Sequence, residues 1–429
     1  MEGYMAGAGR SVITPGHSVE LSGFGDFDPR EIDPAKRRFS EGRLGDENLF
    51  SKTAIIGYGD KRIALISVDL VGLRKEEVKK IRNKVNFYTG IPEDYIMVAC
   101  TNTHSGPATI PLRLCGEMDP EYMEKLPELV AKSAKSIKIY PTDILANTGI
   151  LEGVSYNREN HVLDNELFAI FSKPFTIARF SCKPCVLERR NKKFSRDYPG
   201  VVSDYLEQIG GFGEFLFLNG VAGDAAPIID KERKGPKHIP GTPYPIGYDE
   251  LRGEDYVKIG RKIAELKKNA SPTGPGISVS SRIIVLRFDM KAIESGNYKI
   301  DPKRESSESI FYQSWKKDLD EFWESKKSIP PGVPAEIQAI RLGDYVLVVI
   351  PGEVMAETGL QIKQKYPNAI VVGFANDQIG YIPTREKIEK NTYTAVHVPR
   401  LFHIWPLAPE VGDILLEGVD SVIDDVSLK

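Results

Sequence analysis

The 429-residue sequence predicts an α/β fold of mixed β-sheets flanked by helices. Two observations carry that expectation. Apolar runs of strand length alternate with amphipathic stretches of helical spacing, and four of the apolar runs pass directly into loops rich in Gly, Pro and polar side chains.

In chain order the strand-length runs are Thr53 to Tyr58, Arg62 to Val68, Tyr95 to Cys100, Phe168 to Phe171, Glu214 to Leu218, Arg282 to Phe288, Tyr345 to Ile350 and Ala369 to Phe374. Between them, Arg74 to Asn86, Glu121 to Ser136 and Glu254 to Lys268 return apolar residues every three or four positions, the period of a helix with one buried face. Asp301 to Lys327 is polar, but Phe311, Trp315, Leu319 and Phe322 recur at helical spacing, which predicts an amphipathic helix rather than a linker. Lys231 to Tyr248 is dense in Pro, Gly and charge, so a long surface loop is expected there. There is no internal repeat and no clear linker, and a single domain over residues 1–429 is the expected organisation.

Charge nearly cancels, with 57 Lys plus Arg against 60 Asp plus Glu and a net charge of -3. General nucleic-acid binding needs a basic face, so a small-molecule or protein partner is expected instead. The N-terminal MEGYMAGAGRSVITPG lacks the basic start and apolar core of a signal peptide, and no run of about 18 apolar residues occurs. These features predict a soluble, cytoplasmic protein with no stable membrane insertion. Four cysteines are too few for a disulfide scaffold and suit a reducing compartment. A homo-oligomer is compatible with the sequence.

The four strand-to-loop junctions are Cys100 into Thr101-Asn102-Thr103-His104-Ser105-Gly106-Pro107, Leu218 into Asn219-Gly220-Val221-Ala222-Gly223-Asp224, Ile350 into Pro351-Gly352-Glu353, and Phe374 into the loop ending at Tyr381. In open α/β sheets, ligands collect outside the carboxyl ends of strands, so the four ends are expected to converge on one pocket. Any one alone is as readily an ordinary turn. Together with Asn157-Arg158, Lys183-Pro184, Ser195-Arg196-Asp197, Gly223-Asp224-Ala225-Ala226-Pro227 and the pair Tyr381 and Tyr393, their order and spacing resemble the catalytic domain of the neutral/alkaline non-lysosomal ceramidase family. The resemblance covers roughly residues 10 to 400, and the family's separate C-terminal β-sandwich domain is not expected in this sequence.

That resemblance implies a site where family members hold zinc through two histidines, a glutamate and a tyrosine, and split the amide of ceramide with a nearby serine. Glu353 and Tyr381 match the last two ligands. The first histidine falls at Asn102, the second at Lys183, and the serine at Ala226. An amide is a poor zinc ligand and a protonated lysine has no lone pair, so no metal is expected, with zinc the runner-up cofactor. Ala226 offers no oxygen for attack. Two readings of Lys183 stand side by side: its ammonium approaches Glu353 and replaces part of the positive charge of the metal, or it points to solvent as lysines usually do.

His104, Arg158 and Tyr393 match family positions around the reacting amide, and with Lys183 they are the catalytic candidates. Asn102, Ser105, Asn219, Asp224, Glu353 and Tyr381 are the candidate ligand contacts. His17 lies in a region that lines the site in relatives. Cys182-Lys183-Pro184-Cys185 has the spacing of a metal or redox pair, but one such pair supplies two ligands where a structural zinc needs four, so ordinary thiols are expected. Two functional readings follow. One is a ceramidase-like amide hydrolase homologue with a degenerate zinc site that acts on or binds a small polar or anionic ligand; if active, it would hydrolyse linear amides without the zinc mechanism. The other is a non-catalytic binding or scaffold protein on the same fold.

Overall fold

Three main β-sheets share one apolar core, and each carries helices on its outer face. The structure, a computed structural model, describes residues 3–24, 37–43, 47–187, 189, 191–228, 254–296 and 309–427. The segment Lys231 to Tyr248 lies outside the described residues, as does His238 within it.

The first sheet comprises β1 (Tyr4–Val12), β2 (Phe50–Tyr58), β3 (Lys61–Val68), β4 (Ile96–Cys100) and β5 (Tyr140–Pro141), ordered β4-β3-β2-β1-β5. Only the β3–β4 pair is parallel, and it is crossed over by α1 (Lys75–Thr89). Helix α1 ends at Gly90, whose φ of 72° is the left-handed turn that glycine adopts at little cost. Helix α2 (Pro120–Ala131) starts with proline at its first position and Asp119 as cap, the carboxylate accepting from Tyr122 N. Ile66 and Val98 on the outer face pack against Ile81, Val85, Leu126 and Val130 of these helices.

Next come β6 (Leu145–Ile150), β7 (Ser155–Asn157), β8 (Glu166–Phe171), β9 (Phe175–Phe180), β10 (Glu214–Asn219), β11 (Ala225–Pro227) and β12 (Ser271–Pro272). The second sheet runs β10-β9-β8-β6-β12, while β7 and β11 form a separate antiparallel ribbon. The parallel β9–β10 pair is linked by α3 (Tyr198–Ile209), which with α4 (Glu254–Lys268) covers Phe180 and Phe217.

The third sheet, β13 (Ile277–Arg287), β14 (Gly332–Leu342), β15 (Tyr345–Val349) and β17 (Ala369–Val372), leaves β16 (Glu353–Val354) and β18 (Tyr381–Ile382) as a short parallel pair beyond its end. Five helices precede, separate or follow these strands: α5 (Met290–Glu294), α6 (Ile310–Glu324), α7 (Ala356–Lys365), α8 (Arg385–Glu389) and α9 (Tyr393–Leu401). A sixth, α10 (Val411–Ser427), lays Leu415, Val419 and Val422 on Ile337, Ala339 and Val348.

Between the sheets, Ile56, Leu65 and Met97 meet Phe168, Ile177 and Leu216 of the second sheet and Ile340, Leu347 and Ile370 of the third. Burying these side chains is the main favourable term that fixes the relative placement of the sheets. The strand and helix runs named from sequence form with shifted ends; of Asp301 to Lys327, residues 301–308 lie outside the described residues and the helix runs Ile310–Glu324. Arg282 to Phe288 begins earlier, at Ile277, and Glu121 to Ser136 stops its α-helix at Ala131 before a short 3-10 turn. Among the described residues no helix is long and apolar enough to cross a membrane.

Candidate functional site

The carboxyl ends of strands from all three sheets are laced together by backbone hydrogen bonds. Gly220 N donates to Phe180 O (3.1 Å), Gly373 N to Asn219 O (3.0 Å) and Cys100 N to Phe374 O (2.9 Å). Phe374 N then donates to Gly352 O (2.8 Å) and Glu353 N to Gly380 O (2.8 Å). The loops after β4, β9, β10, β15 and β17 therefore converge at one place, as the strand-to-loop pattern predicts. Gly352 enables the crossing: its φ is 82°, and a Cβ there would run into Gly380 O.

At the centre, the parallel pairing of β16 with β18 sets Glu353 opposite Tyr381. Lys183 reaches this pair from just past β9. Its side chain is 3% exposed, its ammonium ion-pairs with Glu353 and it donates to the Tyr381 hydroxyl. Gln378 Nε2 donates to the other oxygen of Glu353 at 3.2 Å. Arg158, an exposed residue just past the end of β7, sends Nη2 to Gly223 O (2.6 Å) and to the Tyr381 hydroxyl (3.3 Å). Burial pushes the Lys183 ammonium down to about 8; the Glu353 charge pulls it back up and Arg158 pushes it further down. Burial, then the Glu353 charge, raises Tyr381, so the phenol stays protonated.

Beside this cluster, Asn102 takes a left-handed conformation (φ 67°), donates its backbone N to Leu70 O (2.9 Å) and its side-chain Nδ2 to Val71 O (2.7 Å). Its Oδ1 is buried and has no hydrogen-bond partner among the described residues. His104 Nδ1 is in the same condition. The His104 ring packs edge-on against Phe24 at 4.7 Å, and a Cβ on Gly23 would strike it. Its imidazole is held well below the usual histidine range by burial, and then by the Lys183, Arg38 and Arg158 charges, so it is neutral. Thr103 Oγ1 donates to Ser195 O (2.8 Å), and Ser105 Oγ accepts from Asn191 (2.9 Å), so both hydroxyls secure the loop.

The remaining sequence candidates divide. Tyr393 opens α9, stacks on His397 at 5.0 Å and lies within electrostatic reach of Arg158. Asn219 ties the β10 end to the β4 loop through Thr101 O (3.3 Å). Asp224 is fully buried with one oxygen on Ala356 N (3.1 Å) and the other on Lys387 (3.0 Å), so it belongs to an ionic knot that also includes Glu159 and Glu357. Ala226 pairs with Tyr156 across the β7–β11 ribbon. His17 is exposed and contacts Asp119 at 3.2 Å. The Cys182 and Cys185 thiols are pushed up by burial, Cys185 to about 12, and neither is activated.

Three contributors escape the sequence reading. Gln378 sits in a loop already singled out, and only its neighbour Tyr381 carried a signal. Arg38, buried, donates to the carbonyls of Ser22, His104 and Asn191 (2.9–3.3 Å) and braces the histidine loop. Lys387 reads as one more surface lysine in Arg385–Glu389, and nothing in the sequence marks it as buried.

Zinc does not fit this donor set. An ammonium occupies the carboxylate, an amide stands at position 102, and among the described residues no group of three or more His, Cys, Asp or Glu could hold a metal ion. The arrangement instead offers fixed positive charge from Lys183 and Arg158, a neutral imidazole, a protonated phenol and two buried polar atoms awaiting partners.

No family model matches the chain, and no curated protein does. Among solved structures it is similar to the neutral ceramidase from Pseudomonas aeruginosa, with 17% identity and a TM-score of 0.73 over 98% of this chain and 74% of that one. A ceramidase complexed with C2 gives the same identity and TM-score, over 98% of this chain and 75% of its own. At this identity the likeness shows a ceramidase-like fold.

Proposed function

We propose that this protein uses the ceramidase-like fold as a metal-independent site for a small anionic or polar ligand, with the amide-splitting chemistry of the zinc enzymes silent. The observation that carries this reading is the Lys183 ammonium seated on Glu353. A positive charge built into the chain takes the place of a bound cation, and it does so without an open coordination position. Arg158 is the exposed member of the cluster and is the natural first contact for a carboxylate, phosphate or amide oxygen, because its planar fork binds such groups two bonds at a time. The buried Oδ1 of Asn102 would accept from a ligand N–H or O–H, which removes the cost of leaving it unpaired. Tyr381 receives hydrogen bonds from Lys183 and Arg158 and turns its own proton toward Glu353, which fixes the phenol in place.

A second reading, a metal-free hydrolase of linear amides, is favoured by one feature: the neutral imidazole of His104 with a free Nδ1 could accept a proton from water. Ala226 provides no nucleophile, so water would have to attack directly.

Elemental analysis of the purified protein and a thermal-shift series with acetate, N-acetylglycine and inorganic phosphate test the main reading. Substoichiometric zinc, a carboxylate- or phosphate-dependent rise in Tm, and loss of that rise in Arg158→Gln are expected. One zinc per chain retained through dialysis would sink the proposal. Release of amine from N-acyl substrates, abolished by His104→Ala, would move the assignment to the second reading.

A further inference from the structure

We infer that the protein has a second ligand site, remote in character from the polar cluster, which takes a small apolar amine. The site is a cavity of about 250 Å³ between α6, the α8–α9 turn and the segment after α9, walled by Val396, Pro399, Ile404 and Leu407 and by the rings of Trp315 and Trp405. The chain has three tryptophans in all, and the third, Trp323, lies 6.0 Å from Trp405. Two of the three tryptophan rings line this concave apolar wall, an arrangement suited to a flat or aliphatic body, since such rings bury large areas in defined geometry.

Charge on the lining selects the other end of the ligand. Among the described lining residues Asp289 and Glu389 contribute two carboxylates, while Arg400 contributes the one Lys or Arg cation and lies over Trp315 at 4.6 Å. The wall is therefore net acidic. A single ammonium on an apolar body would meet a carboxylate at one end and apolar side chains along its length, and the carboxylate favours a cation. A carboxylate-bearing ligand of the same shape would be repelled. This chemistry is the opposite of that expected at Lys183 and Arg158, so the two sites sort ligands by charge. They are also physically joined: α9 presents Val396 and Pro399 to this cavity while its first residue, Tyr393, stands near Arg158.

Three probes with one body distinguish the chemistry: 2-phenylethylamine, 2-phenylethanol and phenylacetate, each titrated into the full chain with intrinsic tryptophan fluorescence as the readout. The amine is expected to give a saturable change and to bind about tenfold or more tighter than the alcohol, with phenylacetate weakest. Glu389→Gln, at an exposed position, should bring the amine close to the alcohol. Asp289→Asn should do the same while retaining a side-chain acceptor for Ala292 N, the hydrogen bond that caps α5. Val396→Phe should fill the cavity and abolish the change. Equal binding of amine and alcohol, tighter binding of phenylacetate, no saturable change with any probe, or amine binding that persists in a folded Val396→Phe each overturns the inference. Should Val396→Phe fail to fold, the Glu389→Gln comparison decides alone.

Discussion

At the scale of single residues, the site is governed by what burial does to charge. Lys183 and Glu353 are each almost wholly removed from water, so neither tolerates losing the other. Lys183→Met should cost about 3–5 kcal/mol in urea unfolding at neutral pH, because it strands a buried carboxylate. Lys183→Met/Glu353→Gln should recover most of that loss, since the amide can still bond Gln378; a double variant no more stable than the single would refute the pairing. The pH dependence has a definite sign. Below about 8 both folded and unfolded chains keep the Lys183 proton, so the penalty for burying it is fully present. Above that value the folded state releases it while the unfolded lysine holds it up to about 10.4, so stability should climb with pH over this window, and the climb should vanish in Lys183→Met. His104 acts with the same sign at lower pH. Its folded form refuses a proton that the unfolded imidazole accepts below about 6.5, so acid should weaken the fold there. A nitrogen-detected titration should find the His104 midpoint well below the usual histidine range, and a midpoint near 6.5 would contradict its burial.

Whole elements are positioned by charge as well as by apolar packing. Lys387, on α8, gathers Glu159 from the loop after β7 (2.8 Å), Asp224 from the turn before β11 (3.0 Å) and Glu357 at the start of α7 (3.4 Å). Three carboxylates sharing one ammonium fix the segment carrying Arg158 to the helix that follows Glu353. Their mutual repulsion shows in Glu357, which burial and the Asp224 charge hold above the usual carboxylate range. Lys387→Met should therefore be among the most damaging single changes, at about 3–5 kcal/mol or more, and should also lower ligand affinity through Arg158. Chemical denaturation and a ligand titration on the same variant check both effects; an intact Tm would show that the knot is solvated and dispensable. None of this was legible from sequence, because Lys387, Glu159 and Glu357 lie in stretches that look like ordinary solvated helix and loop. What periodicity could locate was the alternation of strands and helices, since the apolar runs are long and their period clear. It missed β1 as a strand, because Gly7 and Gly9 interrupt its pattern. Those glycines are there for close approach: a Cβ at either position would strike the backbone of the segment from Ser133 to Lys138.

For the molecule as a whole, the legible part of the site is the set of strand ends, and the illegible part is which side chains meet beyond them. The order of Asn102, Lys183, Glu353 and Tyr381 along the chain could be matched to a family pattern, yet the choice between a solvent-facing and a buried Lys183 needed three sheets to converge. Two features of the loops make a direct test of that matching practicable. Asn102 sits at φ 67°, a conformation in which histidine is tolerated better than most residues. Lys183 can be exchanged for histidine with the Glu353 carboxylate left free to coordinate. Asn102→His/Lys183→His should thus bring two imidazoles to a carboxylate and a phenol, a donor set that zinc accepts in four-coordinate geometry. The double variant is expected to retain about one zinc per chain through dialysis, the parent chain and either single variant far less. Should the double variant fold normally and still hold no zinc, the positional correspondence between these residues and a metal site would be wrong, and the Lys183–Glu353 pair would have to be explained as an ordinary buried ion pair.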